Sequence, residues 1–193
     1  LQFSMNGFDV DLEKDWETFD FNDLMQQHYR FDPRTVALEE VLKHLDIKEI
    51  AHDESFNVGR GVDMLWKKLR KTIGGPAVLT GMPAYLEPLA KKSKTDPRTV
   101  DRFQILIGGS ELGKGFNELN DPEDQRERFE NQQALRDAGD DEAHMADYDY
   151  VEALEYGMPP AFGFGVSERL FSFLAGTSIR EAQVFPLMRP KEH

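Results

Sequence analysis

The clearest pattern in the chain lies between Asp101 and Phe129. Phe103, Ile105 and Ile107 alternate with Arg102, Gln104 and Leu106, the period of a strand with two unlike faces. Gly108-Gly109 offers the positive φ angles of a tight hairpin turn. A second strand, Glu111 to Leu119, carries Gly113, Gly115 and two carboxylates, Glu111 and Glu118. Asn120 or Asp121 then caps a helix, with Pro122 in its first turn and Glu123 and Asp124 set against its dipole. Pairing across the turn sets Leu106 opposite Glu111, and Gln104, two residues away, shares that face. Strict alternation sends Glu111 and Glu118 to opposite faces. A site using both therefore requires a bulge between them, with Gly113 or Gly115 the natural place.

The other elements follow by the same reading. Leu1 to Leu12 alternates and turns at Asn6-Gly7, a first hairpin, and Asp11 to Asp20 reads as an acidic connector. Phe21 to Tyr29 reads as a short helix capped by Asn22. A second helix runs from Pro33 to about Leu45, with Val41, Leu42 and Leu45 on one side. A third spans Asn57 to Ile73 on a stripe of Val58, Val62, Leu65 and Leu69, and Gly74-Gly75-Pro76 ends it. Ala77 to Met82 reads as a buried strand. After the central hairpin come a helix from Pro122 to Ala138 stopped by Gly139, a helix from Tyr150 to Tyr156, and a glycine-containing strand from Ala161 to Val166. Ser167 caps a helix from Glu168 to Ala175, and Ile179 to Val184 is a last short element.

Composition narrows the classes. The 193 residues suffice for one core, or one domain with an appended subdomain, and 39% hydrophobic residues suffice to fold it. No run reaches the roughly 18 apolar residues of a membrane span, and no signal peptide is visible at the start. A formal net charge of −13 disfavours non-specific binding to nucleic acid. The absence of cysteine excludes a disulfide scaffold and a thiolate metal site and is compatible with the cytoplasm. The histidines, His28, His44, His52, His144 and His193, show no metal-ligand spacing. The chain opens on Leu1, already strand-like, and reads as a piece of a longer protein.

Two features carry candidate chemistry. The acidic, glycine-rich hairpin suits a cationic or metal-bound ligand, and it equally suits an edge hairpin whose charges are merely solvated. Gly163-Phe164-Gly165 followed by Arg169 at a helix start suits a nucleotide phosphate, since arginine offers fixed multidentate donors. Short glycine patterns also arise by chance, and this one is no dinucleotide fingerprint.

Taken in order, NVGRGVDMLWKKL, PAYLEPLAKKSKTDPRTVDRF, ELGKGFNELNDPEDQRERF, ALEYGMPP, GFGVSERL and SIREAQVFPLMRP closely resemble the C-terminal half of the catalytic domain of class II lysyl-tRNA synthetases. The resemblance covers essentially the whole chain. It implies an α+β fold, an antiparallel β-sheet flanked by helices. Residues 1–193 would be a partial catalytic domain, with 20–74 a helical insertion and 77–190 the sheet core carrying the third class motif. The implied function is part of an ATP-dependent lysine–tRNA ligase, cytoplasmic, away from membranes and homodimeric in the parent.

Carried over by position, Arg169 looks like the catalytic arginine of the third motif, which contacts ATP phosphate, with Gly163 and Gly165 on its ATP-binding strand. Glu111 looks like a carboxylate holding Mg2+ with ATP. Gln104 stands where a second metal-binding glutamate is usual. Glu118 looks like the carboxylate that pairs with the ammonium of lysine, and Phe116 and Lys114 line the same pocket. Three departures mark a divergent member: Gln104, Lys114 in place of a usually neutral asparagine, and the shortened string GFGVSER. In the family the anticodon-reading domain and the first two class motifs lie upstream of this stretch. Transfer to tRNA would use those missing parts, and the chain alone is expected to be inactive. Two alternatives remain: a paralogous lysyl transferase acting on a protein, and a catalytically dead synthetase-like binding module.

Overall fold

In a computed structural model, residues 1–53 and 56–185 are described; the string from Pro186 to Pro190 and His193 lie outside the described residues. Strands β1 (Gln2–Met5) and β2 (Phe8–Asp11) form the first hairpin, turning on Asn6 (φ 51°) and Gly7 (φ 84°). Strands β3 (Glu17–Asp20), β4 (Ala77–Thr80), β5 (Arg102–Ile107), β6 (Ser110–Asn117) and β7 (Phe162–Val166) form one sheet in that order. Helices α1 (Phe21–Tyr29), α2 (Leu38–Ile47) and α3 (Val58–Leu69) precede β4. Helices α4 (Pro122–Asp137) and α5 (Tyr148–Glu155) join β6 to β7, and α6 (Glu168–Leu174) and α7 (Ile179–Ala182) follow it.

The architecture is the expected α+β, with one departure: β3 and β4 pair in parallel, so the sheet is mixed. The segment read as an acidic connector supplies that strand. Glu17 to Asp20 lacks apolar alternation, and its backbone is recruited by pairing to Ala77–Thr80, a tertiary effect with no local signal. Other boundaries moved for local reasons. Asp20, not Asn22, caps α1, its carboxylate accepting from the amides of Asn22 (2.8 Å) and Asp23 (3.2 Å). Asn22 is buried instead and donates to the Gly81 carbonyl at 2.7 Å. Helix α2 starts at Leu38 rather than Pro33, because Asp32 closes a turn on the Arg34 amide and pairs with its guanidinium at 2.7 Å. Asp147 starts α5 two residues earlier than the apolar pattern indicated.

Two cores hold the sheet. On one face α1, α2 and α3 bury Phe21, Met25, Val41, Leu45, Leu65 and Trp66 against Ala77, Leu79 and Leu106. On the other, the β1–β2 hairpin buries Met5 and Val10 against Ile107 and Leu112. Full burial of each such side chain contributes about 1.5–3 kcal/mol.

The central strand pair departs from the simple pattern in two ways. On β5 the polar residues Arg102 and Gln104 are the buried ones, while Phe103 and Ile105 are half-buried. Phe103 reaches across the glycine of β6 to stack on Phe162 (5.9 Å) and Phe164 (5.7 Å) of β7. Gly115 makes this possible, since a Cβ there would lie 2.8 Å from Phe162 and 2.9 Å from Phe103. The second departure is a bulge. Ile105 pairs with Gly113 and Leu106 with Glu111, leaving Leu112 as the extra residue. It falls one residue before Gly113, the nearer of the two expected places, because Leu112 has an apolar pocket to fill beside Met5, Val10 and Ile107.

The bulge resets the alternation. Glu111, Lys114, Phe116 and Glu118 come to one face of β6, together with Arg102 and Gln104 of β5. Gly163 and Gly165, paired with Phe116 and Lys114, leave the same face of β7 open. Among the described residues no helix is long and apolar enough to cross a membrane.

Candidate active site

A cleft of about 490 Å³ opens where α3 crosses the β5–β6 floor. Helical spacing brings Asp63 and Trp66 to this side of α3, and Arg70 extends the same row into the turn that follows. The floor consists of Arg102 and Gln104 from β5, Glu111 and Lys114 from β6 and the backbone of Gly165. Glu87, at the end of a short 3-10 turn, forms a further wall.

The polar side chains of the floor are tied to one another and to the walls, although Arg102 Nε is buried without a hydrogen-bond partner. Trp66 Nε1 donates to Glu111 Oε1 at 2.8 Å, and Arg70 Nε lies 3.7 Å from the same oxygen. Arg70 is fixed in turn by donating to the Gly109 carbonyl at 2.5 Å. Gln104 Oε1 accepts from the Arg102 guanidinium. Arg102 Nη1 pairs with Glu87 Oε1 at 2.5 Å, and Lys114 Nζ reaches Glu87 Oε2 at 3.3 Å. Lys114 also lies over the Phe116 ring, 5.6 Å from its centre. Burial pushes Arg102 below the ordinary guanidinium range, and the charges of Glu87, Glu111 and Asp63 work against that shift.

The structure thus brings Gln104, Glu111, Lys114 and Gly165 into one cleft. Phe116, Glu118 and Gly163 share the face and lie farther along it. Glu118 sits so close over β7 that a Cβ on Gly163 would come within 2.5 Å of its Oε1. Tyr150 of α5 is pushed up by burial first and by the Glu118 charge second, which puts that hydroxyl within reach of the carboxylate's field. Arg169 stands apart: it is exposed on the first turn of α6, and its hydrogen bonds among the described residues are made by its backbone.

Sequence reading missed Glu87. Its partners are 15 and 27 residues away, and the only local signal was a carboxylate inside an otherwise apolar loop, Leu86-Glu87-Pro88-Leu89. It also missed Trp66 and Arg70, whose partner Glu111 lies on another element.

The donor set bears on magnesium. Among the described residues no three His, Asp or Glu side chains converge as a metal site. Glu111 keeps its second oxygen clear of the Trp66 and Arg70 contacts, so it fits as one hard ligand beside nucleotide phosphates. Gln104 fits poorly as a second, because its amide oxygen already accepts from the Arg102 guanidinium, whose positive charge opposes a cation beside it.

A sheet with helices on its faces, a glycine-lined strand and an acidic floor define the class. The chain belongs to the family of tRNA synthetases class II (D, K and N), whose pattern it matches over residues 2–189. The lysine–tRNA ligase of Bacillus subtilis (strain 168) is 40% identical over 186 residues, covering 94% of this chain and 37% of that protein. The lysine–tRNA ligase of Thermotoga maritima is 36% identical over 201 residues, covering 100% of this chain and 38% of its own length. That of Xanthomonas oryzae pv. oryzae is 38% identical over 198 residues, covering 98% and 39%. The chain therefore spans less than two fifths of the length of these relatives.

Proposed function

We propose that this chain is part of an ATP-dependent lysine–tRNA ligase, with 20–74 its helical insertion and 77–190 the sheet core that carries the third class motif. The observation that supports this reading is the single face shared by Glu111 and Glu118 across the bulge at Leu112. It offers one carboxylate toward the nucleotide end and another toward an amino-acid ammonium.

On this reading the lysine carboxylate attacks the α-phosphorus of ATP, pyrophosphate leaves, and the lysyl group then passes to tRNA. Glu118 holds the substrate ammonium beside Phe116. Gly163 and Gly165 let the nucleotide approach the sheet backbone, and Arg169 neutralises phosphate charge. Magnesium, when bound with ATP, is held by Glu111 and supplies further neutralisation of the phosphates. The chain's own contribution is positioning and a field fixed in advance. tRNA is engaged through regions beyond this stretch, the working protein is a cytoplasmic homodimer, and these 193 residues by themselves form no adenylate.

Lysine-dependent exchange of pyrophosphate into ATP by the full-length protein tests the reading. Exchange that requires lysine is expected; exchange indifferent to lysine, or none, overturns it. The last outcome would favour the binding-module alternative, for which the engagement of Gln104 by Arg102 and of Lys114 by Glu87 is the supporting observation.

A further inference from the structure

We propose that Glu87 is a positioning residue of this cleft, which holds Lys114 against the wall and keeps the floor attractive to a cationic substrate; this rests on reading the site as one that activates lysine. Glu87 spends one oxygen on each of two cations, Oε1 on Arg102 at 2.5 Å and Oε2 on Lys114 at 3.3 Å. Its side chain is only 15% exposed. Its backbone is fixed as well: the Glu87 carbonyl accepts from Arg128 Nη1 at 3.1 Å. Arg128 in turn donates to the Ala90 carbonyl at 2.7 Å and pairs with Asp124 at 3.0 Å. The carboxylate is therefore presented from a braced loop and does not depend on Lys114 for its place.

Three carboxylates line the cleft, Asp63, Glu87 and Glu111, against two cations, Arg102 and Lys114. Asp63 already answers Lys67 at 2.6 Å. Glu87 is thus the group that balances Lys114. Lys114 lies on the same face as Glu118, four residues along β6, and its flexible stem carries a point charge. Released from Glu87, that ammonium competes with the substrate's ammonium for the same carboxylates and repels it. Lys114 and Glu87 form one unit: the lysine is tolerated in an amino-acid pocket because the carboxylate holds it aside.

The test uses the full-length protein with Glu87→Gln, Lys114→Asn and both together. Glu87→Gln keeps the side-chain shape and removes the charge. It is expected to raise the KM for lysine about tenfold, from one unit charge released within several Å of the substrate, while the KM for ATP changes less than about twofold. Adding Lys114→Asn is expected to return the lysine KM to within about threefold of the parent value. A merely structural role for Glu87 would not be rescued by removing Lys114. Equal effects on lysine and ATP, or no rescue, overturn the proposal. Should the parent itself show no lysine-dependent exchange, the reading of the site fails, and thermal unfolding of the same proteins still decides on the pair. The doubly substituted protein melts above Glu87→Gln if Lys114 is stranded beside Arg102 without its counter-charge. An equal or lower melting point overturns the pairing.

Discussion

Trp66 on α3 and Glu111 on β6, 45 residues apart in sequence, are joined by an indole-to-carboxylate hydrogen bond of 2.8 Å. A helix that packs the core thereby holds a charged group of the cleft. Trp66 is 2% exposed, whereas the other tryptophan, Trp16, is 38% exposed.

This arrangement makes Trp66 a reporter. Binding of magnesium–ATP to the full-length protein is expected to change tryptophan emission, because Glu111 exchanges part of its interaction with the indole for the nucleotide. The change should survive Trp16→Phe and be reduced in Trp66→Phe. An undiminished change in Trp66→Phe would show that the Trp66–Glu111 pair does not respond to the nucleotide. The substitution should also cost about 1–2 kcal/mol of stability through the lost bond to a charged acceptor, read by denaturant unfolding.

Glu118 and Gly163 make a paired prediction. On the proposed reading Glu118→Gln removes the countercharge for the substrate ammonium and should lower kcat/KM for lysine roughly 100-fold, with ATP parameters little changed. Gly163→Ala puts a methyl group where Glu118 Oε1 now lies, 2.5 Å from the ideal Cβ. It should displace the carboxylate and raise the lysine KM about tenfold without unfolding the protein. Steady-state kinetics against both substrates checks each; equal losses for lysine and ATP would remove Glu118 from the selectivity role.

A third prediction concerns acid. Burial raises Asp124, but hydrogen bonds from Arg128 and Lys92 outweigh it, and the carboxyl ends below its ordinary range. A lowered carboxyl stabilises the fold above the ordinary aspartate value, near about 4, and that contribution is lost as pH falls through the depressed value. Asp124→Asn should therefore cost about 2–3 kcal/mol at pH 7, where Arg128, with a side chain only 9% exposed, loses its charge partner. The gap between parent and variant should close below about pH 4 in denaturant titrations. A gap that does not change with pH would show that packing, not charge, is what Asp124 contributes.

What the sequence disclosed and what it withheld divide along the range of the signals. The turn at Gly108-Gly109 and the cap at Asp121, one of the two candidates, with Pro122 after it are written in neighbouring residues, and they stand where expected. Strand β3 is set by pairing with residues 60 positions later, so its own four residues gave no hint. That β5 buries Arg102 and Gln104 was not legible, because they are held by each other and by Glu87, a network assembled from separate elements. For the candidate site, residue types and their order along β6 were legible. The clamps on them were not, since Trp66, Arg70 and Glu87 approach from elements whose own patterns concern packing.

The single extra residue at Leu112 has a consequence for how this protein can vary. A bulge absorbs one unit of length: the register beyond it is the one a strand without Leu112 would have. Loss of Leu112 would join Glu111 to Gly113 in a regular ladder with Lys114 still opposite Gln104 and Phe116 opposite Arg102, so the polar face would survive and the cost would fall on the emptied pocket beside Met5, Val10 and Ile107. Length changes are expected to be tolerated better in the exposed connection 156–161 between α5 and β7, where no ladder propagates the error. From Gly113 to Glu118, where no bulge takes up the difference, one residue more or fewer turns Glu118 away from the face of Glu111, so variation there should take the form of substitution at constant length.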